Sequence, residues 1–148
     1  MGSPTVIVQD RIEACAAAAA ASAAQLRLDI RSAPWVAGAY GPMVFAAMID
    51  AARRAGPEAV IRGVLDCGDS AGAAMAAIRH GLNVRSSLVG DTRSKLVQIA
   101  DQSGRRIVDD DGPLLDLCGV RDPATACRDW ISRLPPAARG GSPAVSAD

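Results

Sequence analysis

The densest run of reactive side chains in this sequence is Asp66-Cys67-Gly68-Asp69-Ser70. It directly follows the aliphatic stretch Val60–Leu65, which reads as a buried strand, and precedes a small-residue helix over Ala71–Arg79. A carboxylate at a strand tip, here Asp66, can act as a general base or orient a ligand. Cys67 stands near a helix N-terminus, the setting that lowers a thiol pKa and makes a nucleophile. The structural alternative is an inert Cys67, a turn at Gly68, and Asp69 or Ser70 as the helix cap. Two further turns carry candidate chemistry. Arg31 and Ser32 follow a second strand, Leu26–Ile30, and are placed to meet an anion. They open a Gly/Pro loop reaching Pro42, in which Trp35 and Tyr40 are expected to anchor the loop over the strand ends. Gly90 and Asp91 follow a fourth strand, Val84–Val89; Gly90 permits close approach of a phosphate, while Asp91 or Thr92 also reads as an N-cap. His80, the sole histidine, closes a helix, where a cation is favourable against the helix dipole.

Alternating strand and helix signals position these turns. Thr5–Val8 is a short β-branched run, and Asp10 with Glu13 three residues later forms a capping-box start to an Ala-rich helix, Arg11–Ala24. Met43–Ala55 is amphipathic and stops at Gly56-Pro57. A helix over Arg93–Gln102 ends at Gly104, and Ile107-Val108 begins a fifth, weaker strand. Leu114–Leu117 reads as a short apolar strand or turn. Asp122-Pro123 opens a last helix, Ala124–Leu134. The order predicts an α/β fold: a parallel sheet of about five strands with crossover helices on both faces. One domain is expected over residues 1–134, followed by a disordered Pro/Gly/Ser/Ala-rich tail at 135–148. In such folds, sites form at the carboxyl ends of strands.

Composition narrows the function. Sixteen basic and sixteen acidic residues cancel, so there is no phosphate-neutralising footprint for nucleic acid and no basic face for a membrane surface. The start, Met1-Gly2-Ser3-Pro4, lacks a basic n-region, and the apolar stretch Ala14–Ala24 is too short to span a bilayer. A cytoplasmic setting is expected, with the four cysteines as reduced thiols. Cys15, Cys67, Cys118 and Cys127 show no CxxC or Cys/His pairing, and no phosphate-loop, dinucleotide or nucleophile-elbow motif is present.

Read in order, several stretches resemble the N-terminal half of class II fructose-bisphosphate and tagatose-bisphosphate aldolases. The resemblance rests on Leu28–Ser32, Ala37-Gly38-Ala39-Tyr40-Gly41, Leu65-Asp66-Cys67-Gly68-Asp69-Ser70, Ala77-Ile78-Arg79-His80-Gly81 and Val89-Gly90-Asp91. It covers roughly Thr5–Asp91. It implies half of a (β/α)8 barrel, with Asp66 at the family's catalytic aspartate and Cys67 where the family has a zinc-binding histidine. The remaining zinc ligands and phosphate loops of that family lie on later strands that this chain lacks. The resemblance therefore implies a repurposed, metal-free binding or regulatory subunit that takes a small phosphorylated or carbonyl ligand, or a protein partner, at the strand ends. Arg31, Ser32, Gly68, Asp69, Ser70, Gly90 and Asp91 are the candidate ligand contacts.

A half barrel exposes edges and one face. Either two copies pair, or the sheet relaxes into an open, doubly wound one with the last helix over the free face; a homodimer is expected. Pairing also frames an alternative, an active carbon–carbon lyase completed across the dimer, with Asp66 as base and Cys67 holding a zinc ion. A second alternative is a phosphorylatable module. Asp69-Ser70-Ala71-Gly72 and Leu88-Val89-Gly90 resemble anti-sigma-factor antagonist (STAS) domains, with Ser70 as the phosphorylated serine.

Overall fold

Four residues of high β propensity, Thr5–Val8, form β1 and lead into α1 (Arg11–Ala23). The expected capping box is present. Asp10 Oδ1 accepts from the Glu13 N–H, and Glu13 Oε1 accepts from the Gln9 N–H, each at 2.8 Å, so the helix start closes on its own side chains. The computed structural model describes residues 2–109 and 112–139. After α1 come β2 (Arg27–Ser32), α2 (Val36–Ala39), α3 (Gly41–Ala55), β3 (Val60–Gly68) and α4 (Ala71–Arg79). They are followed by β4 (Asn83–Ser86), α5 (Gly90–Gln102), β5 (Leu114–Asp116), α6 (Pro123–Ser132) and the short α7 (Pro136–Arg139).

The five strands form one all-parallel sheet in the order β4-β3-β2-β1-β5, open rather than closed into a barrel. From β1 to β4 each crossover steps in the same direction. Right-handed crossovers that never reverse place every connecting helix on one face. The packing agrees: α1 lies against α3, α3 against α4, and α4 against α5, while α6 flanks the other side of α1. The expected helical cover on both faces is thus a single layer of crossover helices, and α6 extends that layer beside α1.

Strand alternation divides the sheet into two unlike faces. Val6, Val8, Leu28, Ile30, Leu65 and Val84 are wholly buried on the helix side. The register puts Thr5, Asp29 and Arg62 side by side on the other face, with Ile7, Arg31, Val64 and Asn83 in the next row. There the Asp29 carboxylate accepts from Arg62 Nε at 2.8 Å and from Arg62 Nη2 at 2.6 Å. This second face is buried as well, and it mixes the paired charges with apolar Ile7 and Val64.

Two glycines allow the layers to close. A Cβ at Gly56 would stand 2.2 Å from the Ala18 carbonyl oxygen, and one at Gly63 would stand 2.7 Å from Ile49 Cγ1. Several expected boundaries shift. Ile107 makes only an isolated bridge to Val84, and the fifth strand is Leu114–Asp116, beside β1 at the opposite edge. β4 stops at Ser86 because Ser86 Oγ accepts from the Leu88 N–H at 3.1 Å and turns the chain away. Within the expected tail, Pro136–Arg139 forms a helical turn, and Arg139 Nη2 donates to the Ile131 carbonyl at 2.8 Å. Residues 140–148 lie outside the described residues. Among the described residues no helix is long and apolar enough to cross a membrane.

Candidate functional site

The carboxyl end of β3 opens into a cleft of about 400 Å³, lined by Pro34, Ala37, Gly38, Asp66, Cys67, Gly68, Asp69, Ser70 and Ala73. Five of these nine residues are the run singled out from sequence. The other four come from α2 with the residue leading into it, and from the first turn of α4. α2 is a four-residue helix inside what reads as a featureless loop; its signal is the uninterrupted small-residue stretch Val36–Ala39 before Gly41-Pro42.

Local geometry sets each side chain. β3 runs past Leu65 to Gly68, and its pairing with β4 slips between Asp66 and Gly68. Cys67 is therefore the extra residue of a β-bulge, a device that re-aims side chains at a strand end. Gly68 then turns at φ +53°, a conformation that a glycine adopts without strain. Asp66 is half-buried: Oδ1 accepts from the Gly68 N–H at 3.1 Å, and its other oxygen has no hydrogen bond among the described residues. Ser70 is the N-cap of α4, its Oγ accepting from the Ala73 N–H at 3.1 Å.

Cys67 does not carry a reactive thiolate. Its side chain is 6% exposed, and Sγ donates to the Leu65 carbonyl at 3.6 Å. Burial, reinforced by the neighbouring charge of Asp66, pushes its pKa up to about 12. The helix start beyond the turn does not offset that desolvation, so the geometry favours the inert Cys67 over the candidate nucleophile.

Other expected contacts fall elsewhere. Ser32 is buried, and its Oγ accepts from the Asp66 N–H at 2.9 Å, which ties the ends of β2 and β3 and supports the cleft from behind. Arg31 is buried on the charged sheet face, outside the cleft lining. The alternation Arg27-Leu28-Asp29-Ile30-Arg31-Ser32 signals this, because β2 continues two residues beyond its expected end. Gly90 and Asp91 are exposed at the start of α5, where Val89 rather than Asp91 or Thr92 is the N-cap; neither lines the cleft. Trp35 and Tyr40 do not fold inward as anchors. They are 47% and 49% exposed, and their rings meet edge to face at 5.5 Å. A second hollow, about 320 Å³ between the end of α1 and α6, lies away from these strand ends.

A zinc ion, which the resemblance implies for the family, is a poor fit to these residues. Cys67 would have to ligate as a thiolate, against the burial and the adjacent carboxylate that hold its proton. Among the described residues no three His, Cys, Asp or Glu side chains converge into a ligand set. The cleft offers one half-buried carboxylate, one exposed carboxylate at Asp69, glycine backbone, and the first N–H groups of α4, with no cationic side chain in its lining. No protein-family model matches this chain, and no curated protein matches it.

Proposed function

We propose that this protein is a metal-independent, class II aldolase-like half barrel that binds a small hydroxylated carbonyl compound in the cleft at the end of β3. The observation that carries this reading is the pairing of a cleft of about 400 Å³ with Asp66 at its wall, one carboxylate oxygen of which has no hydrogen bond among the described residues. Pockets for small ligands typically combine an apolar wall with a few placed polar groups. Here Pro34, Ala37 and Ala73 supply the wall, and Asp66 accepts from a ligand hydroxyl. Gly38 and Gly68 have no atoms within 4 Å of where a Cβ would stand, so a ligand can approach the backbone closely. A phosphate on the ligand would draw on the N–H groups opening α4, since no cationic side chain lines the cleft.

The resemblance aligns Asp66 with a catalytic position, but among the described residues its neighbours give it no partner for aldolase chemistry. Binding without turnover, as a sensing or regulatory subunit, follows from a retained carboxylate beside a protonated Cys67. The test is thermal unfolding of the purified, chelator-treated chain with dihydroxyacetone, dihydroxyacetone phosphate or inorganic phosphate. The expected result is a higher melting temperature with at least one of the two carbonyl compounds and no such rise for Asp66→Asn. If neither compound shifts the transition, the reading is wrong; a shift with inorganic phosphate alone would reassign the site to α4.

A further inference from the structure

The hollow of about 320 Å³ lies where the end of α1 meets α6 and α7, and it shares no lining residue with the cleft at β3. α6 packs along α1, but the methyl groups of Ala20 and Ala23 are too short to fill the space between the two helices. The floor is apolar: Ala20, Leu26 and Ile131 are 8%, 4% and 5% exposed. The rim is cationic, because Arg128 and Arg139 both line the hollow and no carboxylate does. Each guanidinium is steadied by a neutral acceptor. Arg128 Nη2 donates to Thr125 Oγ1 at 3.1 Å, and Arg139 Nη2 donates to the Ile131 carbonyl at 2.8 Å. Arg53, Arg62 and Arg93 each face a carboxylate, whereas among the described residues Arg128 and Arg139 form no ion pair. Both keep further N–H groups to donate.

We infer that this hollow binds an aliphatic monocarboxylate, an unbranched hydrocarbon chain ending in one carboxylate. The chain lies on the floor formed by Ala20, Leu26 and Ile131, where its removal from water supplies the affinity. The carboxylate sits at the rim with Arg128 and Arg139, since the planar guanidinium fork matches a carboxylate with parallel N–H···O bonds. Both halves of the ligand are needed. A small anion such as acetate leaves the floor uncovered, and a neutral chain leaves the two guanidinium groups without a counter-charge. Size sets the class further: about 320 Å³ is at the small end of ligand pockets. It takes one short chain, not a helix of a partner protein.

Calorimetric titration of the full chain with butyrate, hexanoate, octanoate and 1-octanol, each below its micelle concentration, tests this. Octanoate should bind saturably at one per chain, and each added CH2 in the acid series should tighten binding about two- to fourfold. 1-Octanol should bind about tenfold more weakly than octanoate. Exchanging both arginines, Arg128→Gln with Arg139→Gln, should weaken octanoate about tenfold and leave 1-octanol unchanged. Ala23→Trp fills the hollow and should abolish both. These three side chains are exposed, so circular dichroism should remain that of the native chain. Asp66→Asn should leave octanoate binding as it is, which separates this site from the cleft. No saturable binding of octanoate overturns the inference. So does equal affinity for octanoate and 1-octanol, or octanoate binding that a folded double arginine variant retains in full.

Discussion

A carboxylate and a thiol in adjacent positions, as at Asp66 and Cys67, make opposing demands on their surroundings. Charge on the first raises the proton affinity of the second, and burial of Cys67 acts in the same direction. Cys127 is similar: burial first, and then the charge of Glu13, pushes its pKa up to about 11. Cys118 is exposed. Alkylation of the folded protein by iodoacetamide should therefore modify Cys118 readily, while Cys67 and Cys127 react only once the chain is unfolded. Peptide mapping of a time course checks this; early modification of Cys67 would restore the nucleophile reading. Glu13 gives a prediction in pH. Its pKa is raised from the ordinary 4.5, chiefly by burial, while the hydrogen bond from Gln9 opposes the shift. The folded chain thus holds this proton more tightly than the unfolded chain, and its contribution to stability is lost as pH rises through the folded pKa. Glu13→Gln keeps an acceptor for Gln9 and removes the buried charge. It should flatten that pH dependence and melt higher than wild type near neutral pH.

At the scale of elements, the helices were the most readable. Asp10 and Glu13 mark the start of α1 by spacing alone, and α4 runs over the residues its Ser70 cap and Gly81 stop predict. Strand ends were harder to read, because tertiary pairing sets them. β3 extends three residues past Leu65 to a bulge that only the neighbouring β4 can define. Ile107-Val108 looks like a strand, yet it finds only an outer edge, and Leu114–Asp116 takes the place beside β1. For the site, Asp66 through Ser70 were legible as one run, whereas Pro34, Ala37 and Gly38 have no reactive groups to draw notice. Helix packing depends on Gly56, where a Cβ would meet backbone of α1 that cannot move aside. Gly56→Ala should cost about 1–3 kcal/mol by overpacking, measured by chemical denaturation. Ser70→Ala removes the α4 cap and should cost about 1 kcal/mol.

The described residues form a helical layer on a parallel sheet whose other face is buried and mixes paired charges with apolar side chains. Asp29 and Arg62 are 2% and 8% exposed, and removing one partner leaves the other charge buried alone. Asp29→Leu should therefore destabilise the fold by about 3–5 kcal/mol, while the double change Asp29→Leu with Arg62→Leu should be close to neutral. A double-mutant cycle in urea measures that coupling. The functional claim then rests on the cleft at the end of β3. Its most direct test is calorimetric titration of the chelator-treated protein with dihydroxyacetone and with dihydroxyacetone phosphate, repeated on Asp66→Asn. Saturable binding of at least one compound without added metal, lost in Asp66→Asn, is the predicted result. Absence of binding until zinc is added, or equal binding by Asp66→Asn, would contradict it.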